Sequence, residues 1–443
     1  MTKSALACIV LAAGRGTRMR SDLPKVLHPV AGMPMLGHVL KSAVALTPDR
    51  IVVVVGPEMD LVSKFAAPHD VAVQKLQRGT ADAVRAAQDK MRGFVGDVLV
   101  LYGDTPLVTE NALRQLLAAR EKSDAAIVVA AFNATDPGAY GRVVTDGSGQ
   151  VTAIVEALDA TPEQRSGTLC NSGIMLLRAP QLWDLLAKVG NDNAKKEYYL
   201  TDCIGLARTA GLPVVVASID ATEVQGVNDR IELAAVERQM QRRLREQAMR
   251  NGATLEDPDS VYFSHDTALG RDVTVGQNVV FGLGVVVEDR ARIRAFSHLE
   301  GSYVGAGAIV GPFARLRPGS KLGSGAHIGN FVELKNAKVG TGAKINHLTY
   351  VGDAEVGSGA NLGAGTITCN YDGYRKHQTK IGDNAFIGSN TALVAPVEIG
   401  SGAFVGAGSV ITNNVPADTL AVARGRQVNL ENWAQRYREG KKE

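Results

Sequence analysis

The sequence has few cysteines, little net charge and no long apolar run. Its four cysteines are scattered without Cys-x-x-Cys spacing (Cys8, Cys170, Cys203 and Cys369), so neither a disulfide framework nor a zinc site is expected. A net charge of +3 over 443 residues gives no electrostatic reason to expect nucleic-acid binding. No apolar stretch is long enough to span a bilayer. We therefore expect a reduced, cytoplasmic protein that binds neither nucleic acid nor membrane.

An apolar stretch near the N-terminus, residues 5–13, admits two interpretations. It resembles the core of a short signal peptide, but it also fits a buried first strand. A loop rich in Gly and Arg follows immediately, at residues 14–18, and this loop fits the strand better. We therefore predict a strand.

Apolar runs and amphipathic stretches alternate in the first half of the chain. The apolar runs occupy residues 5–13, 51–56, 98–102 and 125–131. Continuous runs of Val, Ile and Leu between helical patterns indicate strands buried on both faces. We predict a doubly wound, Rossmann-like α/β domain over residues 1–228, followed by one linking helix over residues 229–251.

Large apolar residues recur at every sixth position in the second half of the chain. The main series are Val275, Phe281, Val287, Ile293 and Leu299; Val310, Leu316, Leu322, Ile328 and Leu334; and Ile381, Ile387, Leu393, Ile399, Val405 and Ile411. Neither a helix nor a two-faced strand keeps a step of six, but a triangular coil with about eighteen residues per turn does. We predict that residues 252–443 contain a parallel β-helix of hexapeptide repeats. The spacing alone leaves its hand open.

The six-residue repeat slips by one residue between Leu299 and Val304 and again between Leu334 and Val339, and two longer segments depart from it. Residues 369–379, CNYDGYRKHQT, cannot form a six-residue corner. A polar and aromatic excursion from a regular coil is a typical place for function. The tail over residues 425–443 is basic; we expect it to be poorly ordered, and a phosphate-facing role stays open.

A Gly-rich turn with several cations follows the first apolar run. It reads LAAGRGTRM at residues 11–19, and Lys25 comes shortly after. The Rossmann fingerprint would need Gly where Met19 stands, and the P-loop sequence Gly-Lys-Ser/Thr is absent. Backbone N–H groups can still converge on phosphate oxygens here. Arg15, Arg18 and Lys25 carry enough positive charge for a triphosphate.

The apolar run at residues 98–102 leads directly to an acid, Asp104. A carboxylate at the carboxyl end of a strand, beside a phosphate loop, is well placed to hold Mg²⁺, which takes carboxylates together with substrate phosphates. A plain turn is the alternative for Gly103 and Asp104 taken alone. The nearby phosphate loop favours the metal site.

The pattern LAAGRGTRM, followed by PK, resembles that of the sugar-1-phosphate nucleotidylyltransferases. Further matching motifs are Gln74, Gly79-Thr80, Tyr102-Gly103-Asp104, Tyr140-Gly141-Arg142, Glu156, Asn171-Ser172-Gly173 and Gly226-Val227-Asn228. Together with the hexapeptide coil, they make the whole chain resemble the bifunctional N-acetylglucosamine-1-phosphate uridylyltransferase/glucosamine-1-phosphate N-acetyltransferases. The resemblance spans both predicted domains.

The resemblance implies a uridylyltransferase site in the first domain, which joins UTP to N-acetylglucosamine-1-phosphate and releases pyrophosphate. The residues implied to hold UTP are Leu11, Ala12, Ala13, Gly14, Gln74, Gly79 and Thr80, with Tyr102 and Gly103 also at the substrate. Those implied to hold the acetylated sugar are Gly141, Glu156 and Asn171. Arg18 and Lys25 would neutralise phosphate charge during catalysis, and Asp104 and Asn228 would bind Mg²⁺.

The resemblance also implies an acetyltransferase site in the coil, which acetylates glucosamine-1-phosphate from acetyl-CoA with His347 as general base. The residues implied to hold the amino sugar phosphate and the reacting acetyl group are Arg317, Lys335, Tyr350, Asn361, Asn370 and Tyr371. Those implied to line the acetyl-CoA groove are Ala364, Ser389, Ala407 and Arg424. Residues about eighteen apart stack in such a coil, so spacing alone predicts that Arg317 and Lys335 form a phosphate cradle.

Parallel coils usually associate in threes, so we predict a homotrimer in which different subunits complete each acetyl-transfer site. The resemblance implies a left-handed coil and a role in supplying peptidoglycan and lipopolysaccharide synthesis. Two other interpretations stay open. The coil of a single-activity nucleotidylyltransferase could serve only to oligomerise or to bind an effector. A non-catalytic subunit could bind sugar nucleotides and signal to a partner.

Overall fold

The computed structural model describes residues 4–146 and 150–441, and the chain divides into two compact units, Met1–Gln241 and Arg242–Glu443. The division falls within a helix, Arg230–Arg250, at the position where the sequence predicts a linking helix. Domain limits at residues 228 and 252 stay a prediction. Among the described residues, no helix is long and apolar enough to cross a membrane.

One sheet organises the first unit and confirms the predicted doubly wound α/β fold. Its main strands, in spatial order, are Val214–Ser218, Ile127–Asn133, Leu169–Arg178, Asp97–Tyr102, Leu6–Leu11, Arg50–Val55 and Asp70–Val73. Neighbours are parallel except that Leu169–Arg178 runs antiparallel to both of its neighbours. Strands Arg142–Thr145 and Val151–Val155 extend the sheet, and Pro29–Val30 pairs with Met33–Pro34 in a separate ribbon.

Side chains of the first strand alternate between two cores, one on each side of this sheet. Ala7 and Ile9 belong to one core, and Cys8 and Val10 belong to the other. The helices over the first core are Thr80–Ala86, Ala179–Lys188 and Asp202–Thr209, and those over the second are Met35–Ala45, Asp60–Ala66 and Glu110–Ser123. Burial on both sides explains the continuous apolar run. It confirms that residues 5–13 include a strand.

Three ladders of short parallel strands form the second unit and confirm the predicted coil. Face one consists of Thr254–Leu255, Thr274–Val275, Arg292–Ile293, Ile309–Val310, His327–Asn330, Lys344–His347, Asn361–Leu362, Phe386–Ile387, Phe404–Val405 and Leu420–Ala421. Face two consists of Val280–Phe281, His298–Leu299, Arg315–Leu316, Glu333–Val339, Tyr350–Val356, Ile367–Cys369, Ala392–Val394 and Val410–Ile411. Face three consists of Ala268–Leu269, Val286–Val287, Tyr303–Val304, Lys321–Leu322, Thr379–Ile381 and Val397–Ile399, together with the ends of Glu333–Val339 and Tyr350–Val356.

The six-residue step corresponds to one inward side chain per face. Val275 pairs with Ile293, and Ile293 pairs with Val310, so neighbouring rungs lie directly above one another. These side chains are buried and belong to one continuous core along the axis of the coil. Because the large apolar side chains must point into this core, they align from one rung to the next, and Gly and polar residues occupy the corners.

We expect Ile345→Ala to destabilise the second unit by about 2–5 kcal/mol, because the side chain is fully buried and its removal leaves a cavity. Guanidinium unfolding followed by far-UV circular dichroism measures this change. Lys344→Ala is the matched control, since the adjacent Lys344 side chain is exposed on the same strand. Equal stability of the two variants would contradict the inward packing of Ile345.

The C-terminal tail is more regular than the sequence analysis predicts. A helix spans Trp433–Glu439, although all its residues are exposed. The rings of Trp433 and Tyr437, one helical turn apart, stack with centroids separated by 4.9 Å, and such pairs stabilise short helices. The expectation of a poorly ordered tail is therefore wrong for this segment. Residues 442–443 of the tail lie outside the described residues.

Candidate active sites

A cavity of about 360 Å³ opens at the carboxyl ends of the two central strands of the first unit. It brings together most of the residues predicted to hold UTP. The predicted residues that line it are Leu11, Ala12, Ala13, Gly14, Lys25, Gln74, Gly79, Thr80, Tyr102 and Asp104. Gln77 and Glu197 also line the cavity, and no sequence motif singled them out.

The sheet register explains why distant motifs meet in this cavity. Leu11 and Tyr102 are partners at the ends of neighbouring parallel strands. The Gly103 N–H donates to the Leu11 carbonyl at 2.9 Å, which holds the phosphate loop beside the turn that carries Asp104. A ligand at this edge can therefore contact both loops, as is common at the carboxyl edge of parallel sheets.

Gly79 marks the start of the helix Thr80–Ala86 at the wall of the cavity. Its φ of +115° favours glycine, and an added Cβ would lie 2.5 Å from the Tyr198 carbonyl oxygen. The close approach anchors the helix N-terminus against residue 198, and the Thr80 hydroxyl accepts a hydrogen bond from the Leu200 N–H at 2.9 Å. No larger side chain fits at position 79 without movement of the backbone.

Two cationic side chains hold the two predicted metal ligands. The Lys25 ammonium forms an ion pair with the Asp104 carboxylate, and an Arg18 N–H donates to the Asn228 side-chain oxygen at 3.0 Å. The Val227 N–H donates to the Asp104 carbonyl at 3.0 Å, so the two ligand positions lie on adjoining turns. A carboxylate and an amide oxygen are donors that suit Mg²⁺. The residues present therefore fit this metal.

The predicted sugar-binding residues also lie close together. The Asn171 N–H donates to the Gly141 carbonyl at 2.8 Å. A Cβ on Gly141 would stand 3.5 Å from a Glu156 carboxylate oxygen, so position 141 lies directly beside that carboxylate. Burial raises the pKa of Glu156 above its ordinary value, although the nearby Lys195 opposes this shift.

Two further groups beside Glu156 escaped the sequence analysis. The Thr201 hydroxyl donates to the Glu156 carboxylate at 3.4 Å. The Tyr199 hydroxyl is buried, and it finds no hydrogen-bond partner within residues 4–146 and 150–441. Burial, with nearby carboxylates, raises the pKa of Tyr199 to about 12, so the hydroxyl stays protonated and can donate to a ligand.

In the second unit, the predicted acetyl-CoA residues form a column at the corner that joins face one to face two, here called the first corner. Backbone bonds link successive rungs: Gly365 N–H donates to the His347 carbonyl, Asn390 N–H to the Ala364 carbonyl and Gly408 N–H to the Ser389 carbonyl. The Arg424 side chain donates to the Ala407 carbonyl at 2.8 Å. Asn361 lies on face one, in the strand that leads into this corner.

His347 is exposed at the first corner, beside the Asn330 side chain. A ring nitrogen, Nδ1, lies 2.7 Å from the Asn330 side-chain oxygen on the rung before it. Because that oxygen only accepts, the bond assigns a proton to Nδ1 and leaves Nε2 as the basic nitrogen of the neutral ring. The arrangement suits a general base whose orientation Asn330 sets.

The predicted phosphate residues gather at the corner that joins face two to face three, here called the second corner. Lys335 lies 3.7 Å from Asp353, and the Asn370 amide donates to the same carboxylate. The hydroxyl of Tyr350 is near the Asn370 amide, since both would contact a Cβ built on Gly352. Register places Arg317 beside Lys335 on neighbouring rungs, and Arg317 pairs with Glu333 at 3.0 Å.

Lys376, in the excursion at residues 369–379, adds a third cation to the second corner. Its pKa is lowered because Lys335 lies beside it. Tyr371 lies in the same excursion, exposed, and its hydroxyl donates to the Gly373 carbonyl at 2.5 Å. Lys376 lies within a loop without a repeat, so spacing could not place it next to Lys335.

Within one chain, the predicted acetyltransferase residues thus fall into two groups, which lie at different corners of the coil. The strand Lys344–His347 ends at the first corner, whereas Tyr350–Val356 runs along face two and across the second corner. His347 and the acetyl-CoA column belong to the first corner, and the cations belong to the second. A single coil does not bring the base and the phosphate cradle together.

Comparison with known proteins agrees with these two units. Residues 8–199 match the MobA-like NTP transferase domain family, and residues 378–413 match the bacterial transferase hexapeptide family, which has six repeats. The matches define a nucleotidyltransferase joined to a hexapeptide transferase, whose coil is the left-handed β-helix expected from the resemblance.

Full-length relatives make the assignment specific. The bifunctional protein GlmU of Paramagnetospirillum magneticum is 57% identical over 99% of this chain and 98% of its own length. GlmU proteins of Sphingopyxis alaskensis (55% identical, 98% of this chain and 96% of the relative) and Zymomonas mobilis (49% identical, 98% of each) are similar throughout. The chain belongs to the bifunctional GlmU family. It is a two-domain enzyme with uridylyltransferase and acetyltransferase activities.

Proposed function

We propose that the cavity of the first unit transfers UMP from UTP to N-acetylglucosamine-1-phosphate, and that the coil makes this sugar phosphate by acetylating glucosamine-1-phosphate. The observation that supports the first assignment is the convergence of Lys25, Asp104 and the phosphate loop at one sheet edge. The product, UDP-N-acetylglucosamine, would supply peptidoglycan and lipopolysaccharide synthesis.

Uridylyl transfer requires placement and charge more than proton transfer. The sugar phosphate is already an anion, so it can attack the α-phosphorus of UTP in line while pyrophosphate leaves. We assign Arg18 and Lys25 to the negative charge of the transferring group, and Gly141, Glu156 and Asn171 to the sugar. Lys25 would exchange its ion pair with Asp104 for a phosphate oxygen when UTP binds.

We assign Asp104 and Asn228 as the residues that hold Mg²⁺. When bound, this ion neutralises phosphate charge during transfer. The Lys25–Asp104 and Arg18–Asn228 contacts hold both ligand side chains in place beforehand. Substrate phosphates would draw the two cations away and leave both oxygens available.

Acetyl transfer requires a base, because the amino group of glucosamine-1-phosphate is mostly protonated at neutral pH. We assign His347 Nε2 to take this proton, with Asn330 holding the opposite ring nitrogen. The neutral amine then attacks the thioester carbonyl of acetyl-CoA, the acetyl carbon–sulfur bond breaks, and the second proton lost by the nitrogen ends on the sulfur of the departing CoA. The second-corner cations would bind the phosphate of the amino sugar, and the first-corner column would bind acetyl-CoA.

We further propose that the enzyme is a homotrimer whose acetyltransferase sites lie between coils. The base and the phosphate cradle occupy different corners, so a neighbouring coil is needed to join them. An apolar ladder at the first corner also suggests burial by another subunit, because Phe296, Phe313 and Phe331 stack with centroids 4.9 and 5.2 Å apart and are all exposed.

A mixture of two inactive variants tests this arrangement. His347→Ala and Lys335→Ala should each lose acetyl transfer, and subunits co-expressed in equal amounts should regain about one quarter of the parent activity, as random symmetric trimers restore that share of intact sites. CoA release from the purified mixed oligomer is the measurement. Absence of any regained activity in verified mixed oligomers would contradict a site shared between subunits.

Lys376→Ala should raise the KM for glucosamine-1-phosphate about tenfold, with little change in kcat, because one charge-assisted contact to the phosphate is lost. Steady-state kinetics at two salt concentrations measure this effect. Lys380→Ala is the control, since Lys380 pairs with Glu398 on face three. An unchanged KM for Lys376→Ala would remove this residue from the phosphate site.

Two separate assays of the purified chain test the proposed function. CoA release should require glucosamine-1-phosphate and acetyl-CoA, and pyrophosphate release should require N-acetylglucosamine-1-phosphate, UTP and Mg²⁺. Failure of one assay with the other intact would reduce the proposal to a single activity. We also place the enzyme in the cytoplasm, since all four cysteines are free thiols, as expected in a reducing compartment.

A further inference from the structure

The side-chain amide of Gln74 has a fixed orientation in the wall of the nucleotide cavity. Its Nε2 donates at 3.0 Å to the Gly79 carbonyl and at 3.0 Å to an Asp82 carboxylate oxygen. Only 5% of the residue is exposed. If the amide were reversed, its oxygen would face the Gly79 carbonyl oxygen and the Asp82 carboxylate oxygen, and neither hydrogen bond could form. These two partners therefore fix which end of the amide is nitrogen.

Both N–H groups of Gln74 are therefore used, and the side chain can offer a ligand only an acceptor, Oε1. Asp82 itself does not line the cavity, in contrast to Gln74. Its effect on a ligand must act through the Gln74 amide. Asp82 is thus a candidate positioning residue.

The surroundings of Asp82 keep it ionised. The Arg78 N–H donates to it at 3.2 Å and an Arg78 guanidinium nitrogen lies 3.3 Å from it. Burial by itself would raise the pKa of Asp82, but the hydrogen bonds from Gln74 and Arg78 outweigh burial and lower the pKa below its ordinary value. An ionised carboxylate accepts hydrogen bonds and donates none, so it cannot stabilise the reversed amide.

Pyrimidine bases differ at the position that such an acceptor can read. Uracil carries a donor, N3–H, whereas N3 of cytosine is an acceptor. An amide held with Oε1 toward the base can accept from uracil N3–H and repels cytosine N3. Sites that present a fixed hydrogen-bonding group discriminate strongly against a ligand that leaves it unpaired.

We propose that Asp82 sets the preference for uracil over cytosine by holding the Gln74 amide as an acceptor. The inference rests on the proposed function, since Gln74 must face the base of the nucleotide substrate. It adds a residue outside the cavity whose role is to orient one inside it. Arg78 holds Asp82 in place with one hydrogen bond to the oxygen that Gln74 contacts and one to the other oxygen.

Two substitutions separate hydrogen-bond acceptance from charge. Asp82→Ala removes one of the two acceptors of the Gln74 amide. The amide can then reverse its orientation and lose only its hydrogen bond to the Gly79 carbonyl. Asp82→Asn removes the charge but can keep its oxygen toward Gln74, since Gln74 and the Arg78 N–H both donate to the same Asp82 oxygen. If the Asp82 charge served only to stabilise the start of the helix Thr80–Ala86, both variants would lose that stabilisation equally.

The measurement is kcat/KM for UTP and for CTP, with N-acetylglucosamine-1-phosphate as the second substrate. We expect Asp82→Ala to lower the UTP-to-CTP ratio about tenfold, mainly through a higher KM for UTP, and Asp82→Asn to stay within about twofold of the parent ratio. Asp82→Ala should have no further effect on the ratio when Gln74 is already Ala, because the effect passes through Gln74.

An unchanged ratio in Asp82→Ala would overturn the inference, as would equal losses in the Ala and Asn variants. Thermal unfolding checks that each variant is folded, and Asp82→Leu provides a second variant without hydrogen-bonding atoms if the Ala protein is unstable. If the parent releases no pyrophosphate from UTP, the proposed function fails. If the parent prefers UTP and Asp82→Ala keeps that preference, only this inference fails.

Discussion

Replacing His347 by alanine is expected to lower the kcat of acetyl transfer by about 10²–10⁴-fold, the usual contribution of a positioned general base. The substrate amine would then have to lose its proton to water. Uridylyl transfer by the same protein should be unchanged, because that reaction takes place in the other unit and needs no base. CoA release and pyrophosphate release, measured on one preparation, give both values.

His298→Ala is the matched control for this prediction. His298 is exposed like His347, but it lies on face two of the coil and three rungs away. It should keep both activities. Full acetyl transfer in His347→Ala would show that another group removes the proton, and equal losses in both His variants would indicate damage to the coil rather than loss of a base.

Replacing Asp104 by alanine is expected to lower uridylyl transfer about 10³-fold, since the reaction would lose a metal ligand and the charge that positions Lys25. Asp104→Asn should behave similarly, because it keeps the size of the side chain and removes its charge. Pyrophosphate release measures the effect. Acetyl transfer should be unchanged in both variants, which shows that the protein is folded.

Asp89→Ala controls for a general effect of removing an acid from the first unit, since the Asp89 side chain is almost fully exposed. It should keep uridylyl transfer near the parent value. If Asp104→Ala also retained that activity, Asp104 would have no part in metal binding, and the proposed arrangement of the cavity would need another acid. The other predicted metal ligand, Asn228, carries no negative charge.

The sequence could predict the two folds because each depends on a repeated local rule. Continuous burial of the first strand follows from its apolar run, and the meeting of Leu11 with Tyr102 follows from the shared edge of parallel strands. An apolar residue at every sixth position fits a triangular coil, and the observed ladders form such a coil. Periodicity therefore predicts the core of the coil, and the motifs at the ends of the apolar runs predict the edge at which the first site lies.

The composition of the second site was harder to predict. Lys335 and His347 are twelve positions apart, which corresponds to two faces of the coil and not to a whole turn. They accordingly stand at different corners. Lys376 lies in an excursion without a repeat, so its position next to Lys335 can be recognised only in the folded structure.

Contacts between distant segments explain the other omissions. Thr201 contacts Glu156 across more than forty residues of sequence, and Tyr199 lies near enough for that carboxylate to affect its pKa. No local sequence motif predicts either arrangement. Asp82 matters through an amide whose orientation is visible only in the folded chain. The basic charge of the tail predicts disorder, although Trp433 and Tyr437 are spaced to stack along a helix.

Transfer of a labelled acetyl group through both reactions tests most directly the claim that two separate sites of one protein act on the same phosphosugar. The purified protein would receive glucosamine-1-phosphate, acetyl-labelled acetyl-CoA, UTP and Mg²⁺. We expect the label in UDP-N-acetylglucosamine with the parent, in N-acetylglucosamine-1-phosphate alone with Asp104→Ala, and in no sugar with His347→Ala. Label that stays in acetyl-CoA with the folded parent protein would contradict the account.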